Sequence, residues 1–283
     1  MKKLKEPKLS SADGFGFSLK GRLKLLIKIL VCFFAGMGAG LGTGFAGLSA
    51  AAVISPMLIS FLDMPAYQAV GIALASDVLA SAVSAYTYGK HKNLDVKNGT
   101  IMMACVLLFT AVGSYVSSLV ETKTMGTMST VMTMFLGLRF LIRPVMTTKE
   151  GMESALSKKQ RIIRSVIGGC CIGFICGFVG AGGGMMMLLV LTSVLGYELK
   201  TAVGTSVFIM TFTAFTGSAS HFAIDKGVSD IPALVFCIVF TFIWAQVAAR
   251  IANRASAKTL NRITGVILIL TGAVTIAFKL LSK

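Results

Sequence analysis

The chain has 283 residues, 55% of them hydrophobic and only 13% charged, with a mean hydropathy of +0.83. A water-soluble domain carries about 25% charge, so an ordinary soluble enzyme is excluded. The 27 Lys and Arg against 11 Asp and Glu give +16, yet nearly all these basic residues sit in short connections between apolar runs. That is a membrane-topology pattern, not a nucleic-acid face.

Taken in chain order, a basic N-terminal arm (1–24) precedes eight long apolar segments at 25–46, 66–88, 100–120, 125–143, 162–181, 200–222, 231–250 and 260–279. Each is long enough to cross a bilayer as a helix. The arm's Lys, Ser and Gly content predicts disorder over residues 1–19. Two shorter apolar pieces, 48–62 and 183–196, begin in Gly/Ser-rich sequence and read as re-entrant or broken helices. The fold class expected is an all-α polytopic membrane protein. Its eight transmembrane helices form two four-helix repeats, 25–143 and 162–283, joined by a linker at 144–161.

With the short pieces re-entrant and the N-terminus inside, 20 basic residues fall on the cytoplasmic side and 6 outside, leaving Arg139 within a span. This places the arm, the linker and both termini in the cytoplasm of a multi-pass cell-membrane protein. The basic set Arg250, Arg254, Lys258 and Arg262 then faces outward, against the rule. Cys32, Cys105, Cys170, Cys171, Cys176 and Cys237 lie inside apolar runs without disulfide or zinc spacing, and read as small buried hydrophobes.

A shift of 133 residues superposes the halves. Gly36, Gly40 and Gly44 fall on Gly169, Gly173 and Gly177; Phe45 falls on Phe178 and Gly47 on Gly180. The match continues to Ala69-Val70-Gly71 on Ala202-Val203-Gly204, with 11 identities in 36 positions. Four spans per half give both repeats one orientation, related by an axis along the membrane normal. Residues 25–46 share this glycine ladder with the middle of the chain, so they read as mature structure and not as a cleaved leader.

Glycines four apart line one helix face, which suits close helix packing. The run Gly177-Phe-Val-Gly180-Ala-Gly182-Gly183-Gly184 is different. At about 1 kcal/mol per glycine relative to alanine, it predicts a helix break at mid-membrane and a fresh helix from about Met185. The N–H groups at such a start suit an anion; a packing kink is the other reading.

With Ala202-Val203-Gly204-Thr205-Ser206, the Gly227 turn, and the weaker first copy Gly44-Phe-Ala-Gly47-Leu-Ser49, Pro56-Met-Leu58 and Ala69-Val70-Gly71, this run resembles the sulfite exporter TauE/SafE transporters over about residues 25–280. The resemblance implies a permease moving sulfite or small organosulfur anions outward. The first copy departs from the pattern, carrying Ser49-Ala50-Ala51 where the second has Gly182-Gly183-Gly184, so the half-sites are unequal. Expected substrate-binding residues are Gly47, Ser49, Gly180, Gly182, Gly183, Gly184, Thr205 and Ser206, although hydroxyls in membrane helices also serve ordinary packing.

Asp77 lies in mid-segment, where a carboxylate costs about 2.5–3.5 kcal/mol on insertion scales. It reads either as a proton or cation site or as a hydrogen-bonded packing residue, and its repeat mate is Met210. Arg139 fits snorkelling to headgroups better than substrate contact. His221 reads as interfacial, and Gln246 as an interhelical hydrogen bond. Met185, Met186 and Met187 point around a helix, which speaks against a soft-metal site.

With only His91 and His221 and no activated nucleophile, neither a catalytic nor a metal constellation is visible, and no cofactor is called for. Exit of a monoanion from a negative-inside cell is favoured by about 2.3 kcal/mol per 100 mV, so an exporter needs no obligatory proton. The expectation is an exporter of a small anion, with the lipid bilayer and, as an option, a homodimer as partners. An anion channel or a proton-coupled uptake permease is the alternative.

Overall fold

A computed structural model describes residues 11–117, 135, 138–154, 157–179, 183–224 and 230–281. Among them the regular structure is helical: α1 (Ser11–Ala46), α2 (Ala51–Leu62), α3 (Ala66–Lys90), α4 (Val96–Ser117), α5 (Lys149–Ser154), α6 (Lys158–Val179), α7 (Gly183–Ser193), α8 (Leu199–Ile224), α9 (Ile231–Arg254) and α10 (Ala257–Leu281). Five of these contain stretches long and apolar enough to cross a membrane: Gly21–Ala46, Tyr67–Lys90, Leu199–Ala223, Ile231–Arg254 and Ala257–Val274. The segment expected at 125–143 lies mostly outside the described residues. The helix begins at Ser11, so the expected disorder of the arm does not extend over 11–19.

The glycine ladder is an interhelical seam. A Cβ on Gly36 would sit 2.7 Å from Phe240 Cβ, on Gly40 2.6 Å from Thr241 O, and on Gly44 2.5 Å from Ala248 Cβ. α1 therefore lies backbone-to-backbone along α9, and the rising numbers on both sides make the two helices parallel. The second ladder does the same on α4, where a Cβ on Gly169 would lie 2.8 Å from Met102 O and one on Gly173 2.5 Å from Val106 O. The contacts of Gly177 are outside the described residues.

Two ends of the bundle are tied by polar contacts. At one end Lys28 Nζ meets Asp230 Oδ2 at 2.6 Å and His221 Nδ1 lies 3.2 Å from Tyr67 O. At the other, Lys149 Nζ donates to Lys92 O (2.8 Å), Asn93 Nδ2 to Asn253 Oδ1 (2.7 Å) and Asn261 Nδ2 to Val145 O (2.9 Å). The latter is called the linker end below. α1 starts at the Asp230 end and α6 at the linker end, so segments matched by the 133-residue shift run in opposite directions. This corrects the shared orientation inferred from four spans per half. The error is geometric: α1 and α2 together enter from the Asp230 end and return to it, which makes the number of crossings per half odd.

Two more expectations change with it. The arm and the linker lie at opposite ends, so they do not share the cytoplasmic face that the charge count gave both. The residues Arg250, Arg254, Lys258 and Arg262 flank the 255–256 turn at the linker end, beside Lys90, Lys92 and Lys97, and no longer form a solitary outward-facing basic loop.

Reciprocal contacts recur at the 133-residue interval. A Cβ on Gly71 would lie 3.3 Å from His221 Cβ, and one on Gly204 2.8 Å from Tyr88 Cβ. α2 and α7 end in the same cap: Asp63 (φ +50°) with Met64 N–H on Leu58 O, and Gly196 (φ +67°) with Tyr197 N–H on Leu191 O.

Candidate functional site

α1 stops because Gly47 takes φ +60°, a conformation glycine adopts without Cβ strain. Gly47 N–H bonds Thr43 O, and Leu48 N–H reaches back to Gly42 O. Thr43 Oγ1 lies 2.8 Å from Leu48 O and holds the reversed chain. Ser49 then turns into α2: its Oγ accepts from Ala51 N–H (3.3 Å) and lies 2.7 Å from Asp77 Oδ2.

The two helix breaks meet. A Cβ on Gly184, in the first turn of α7, would collide with Gly47 O and lie 2.8 Å from Met210 Sδ and 3.1 Å from Ser49 N. Only glycine fits. Ser206 Oγ on α8 bridges the breaks, 3.5 Å from both Gly47 O and Gly184 O. A Cβ on Gly47 would in turn lie 3.1 Å from Ser206 Oγ. The locus is closed: Ser206 is fully buried and Asp77 1% exposed.

From this point α2 runs to the Asp230 end and α7 to the linker end, so two helix N-termini face each other inside the bundle. Each carries about half a positive unit charge. Like ends repel, and an anion between them relieves that repulsion.

The chain matches the family described as Sulfite exporter TauE/SafE over residues 32–275. It belongs to that family. Among its curated relatives, the probable membrane transporter protein YunE of Bacillus subtilis (strain 168) is 26% identical over 260 residues, covering 88% of this chain and 94% of the relative. The probable membrane transporter protein YdhB of the same organism is 25% identical over 228 residues, covering 81% and 90%. No solved structure matches the chain.

Of the residues singled out from sequence in this family member, the structure brings Gly47, Ser49, Asp77, Gly184 and Ser206 together, with Gly183 opening α7. Gly180 and Gly182 lie outside the described residues. Thr205 is placed elsewhere: its Oγ1 accepts from Asp95 N–H at 3.2 Å, toward the linker end. Arg139 donates to Ser193 Oγ (2.6 Å) at the C-terminal end of α7. His221 stacks near Tyr67 at 4.2 Å, away from the breaks.

Met210 was missed as a site residue, although its place opposite Asp77 in the repeat is a signal for it; its Sδ lies 3.7 Å from Ser206 Oγ. Also missed was a polar latch at the linker end. Asp95 caps α4 through Asn98 N–H (3.1 Å) and accepts from Tyr197 Oη (2.6 Å). Arg161 lies 4.0 Å from Asp95 and 5.9 Å over the Tyr197 ring. Burial first, then the bond to Asp95, pushes the Tyr197 hydroxyl above its ordinary range, so it stays a donor. Asp95, Arg161 and Tyr197 are 36 to 102 positions apart, and no local pattern connects them.

Proposed function

We infer that this membrane transporter is a secondary exporter of a small oxyanion, held between the N-termini of α2 and α7. The observation that carries the reading is the meeting of the two breaks at Gly47 and Gly184, with Ser49 and Ser206 as hydroxyl contacts. Gly183 and Gly184 supply backbone that approaches the anion closely, and Thr205 braces α8 against the α4 cap. Sulfite or an organosulfonate as cargo rests on the family name; the helix ends by themselves argue only for an anion. The cell membrane is the expected location.

The reciprocal contacts and matching caps 133 residues apart support an inverted-repeat architecture, in which the halves are related by a pseudo-two-fold axis lying in the membrane plane. Such a pair of half-sites suits alternating access at a central site.

The test is flux of labelled sulfite, sulfate, sulfoacetate and chloride in proteoliposomes, for the wild type and Ser206→Ala. Saturable flux with counterflow, with a weaker apparent affinity in Ser206→Ala while the variant keeps its thermal transition, is the expected outcome. Sustained single-channel currents would replace the carrier by a channel. No flux of any sulfur anion from folded protein would remove the substrate assignment.

A further inference from the structure

Asp77 lies midway along α3 and is 1% exposed. Its carboxylate is held by neutral groups: Ser49 Oγ at 2.7 Å on Oδ2, Ser81 Oγ at 2.8 Å on Oδ1, and the Ala50 N–H. α1, α2, α8 and α9 pack around α3. Among the described residues, none of them sets a charged or titratable side chain against Asp77. Their charged residues lie toward helix ends: Asp13, Lys20, Arg22, Lys24 and Lys28 on α1, Asp63 after α2, Lys200 and His221 on α8, Asp230, Arg250 and Arg254 about α9.

An ionised Asp77 is therefore an uncompensated negative charge inside the bundle. It is also one side chain from the meeting breaks. Ser49 touches its carboxylate with Oγ, while Ser49 N lies 3.1 Å from the Cβ position of Gly184. An anion seated there faces that charge across a single serine.

Resting on the anion-transport reading, we propose that Asp77 binds one proton together with each anion, so that a monoanion crosses with no net charge. The proton adds to a carboxylate oxygen as the anion enters and leaves it as the anion departs; no other bond changes. The path for the proton continues along α3. Asp77, Ser81, Ser84 and Tyr88 recur at intervals of four, three and four, on one helix face running toward the linker end. Among the described residues the Ser84 hydroxyl is fully buried and has no hydrogen-bond partner. It is free to accept a proton on one lone pair and pass on its own. Tyr88 Oη is committed to Gly44 O at 2.9 Å and closes the stripe.

Sulfite itself titrates near neutrality, so the probe is labelled methanesulfonate, whose charge stays fixed. Its counterflow is measured in proteoliposomes at equal internal and external pH, across about pH 5 to 9. In the wild type the apparent affinity should weaken by about tenfold per pH unit once Asp77 is mostly ionised, since only the protonated fraction binds. In Asp77→Asn the affinities at the two ends of the range should agree, whatever the absolute rate. Ser81→Ala, which removes a hydrogen bond to Oδ1, should displace the midpoint of the wild-type profile.

The same pH dependence in Asp77→Asn overturns the proposal, as does sodium-stimulated exchange that ignores pH. If Asp77→Asn does not fold, an unmoved midpoint in Ser81→Ala overturns it. Absence of any anion exchange in the wild type is failure of the transport reading, and infrared difference spectra then decide the proton site. A protonated-carboxyl band that grows as pH falls and is missing in Asp77→Asn, or shifted in Ser81→Ala, supports it. No such band overturns it.

Discussion

Gly47, Gly184 and Gly196 are the same residue type under three different constraints. Gly196 has φ +67° and open space around its Cβ position, so Gly196→Ala isolates backbone strain and should cost about 1–2 kcal/mol. Gly184→Ala meets no such backbone strain but collides with the Gly47 carbonyl, and should cost about 1–3 kcal/mol of overpacking. Asp63, at the position matching Gly196, holds φ +50° with a side chain. Asp63→Gly should therefore stabilise the protein by up to about 1 kcal/mol. Thermal unfolding in one detergent ranks all three, and a destabilised Asp63→Gly would mean that its side chain matters more than its backbone.

At the scale of helices, the seams and the latch make different demands. A Cβ on Gly40 would lie 2.6–2.7 Å from backbone atoms of α9, and those cannot move aside without separating the helices. Gly40→Val should abolish the folded monomer peak in size-exclusion chromatography. Gly21→Ala, where nothing lies within 4 Å, should leave it unchanged or gain up to about 1 kcal/mol of helix propensity.

At the linker end, Tyr197→Phe removes a hydrogen bond to a carboxylate and should cost about 1.5–3 kcal/mol. The Tyr197 hydroxyl has its native titration raised, so this contribution is complete below about pH 10, the ordinary tyrosine value. It is lost only as pH climbs through the raised native value. Tyrosinate absorbance should show one late-titrating tyrosine fewer in Tyr197→Phe, and an unchanged titration would contradict the assignment.

For the whole molecule, the directions of α1 and α6 fix sidedness. Single cysteines placed in the arm, at Gly21, and in the linker, at Ser157, should react with an impermeant thiol reagent from opposite faces of intact cells. Reaction of both from one face would contradict the opposed directions of the two halves. The apolar exteriors of α8 and α9, with Phe215 and Ile231 more than 60% exposed, then face lipid, where exposed apolar surface carries no cost.

Much of this was written along the chain. Apolar runs gave α3, α8, α9 and α10 within a few residues, because helix length and hydropathy are local properties. The glycine spacing marked both seams, since close approach of two backbones tolerates no side chain. The run at 177–184 marked a break, since so many glycines cannot hold a helix. What stayed hidden was direction and partnership. Whether a 12-residue helix returns to its side of entry depends on the Gly47 turn and on what receives α2, and that choice reversed half of the topology. Met210, the Asp95–Tyr197–Arg161 latch and the contact between Gly47 and Gly184 join residues far apart in sequence. Packing alone brings them within a few ångströms.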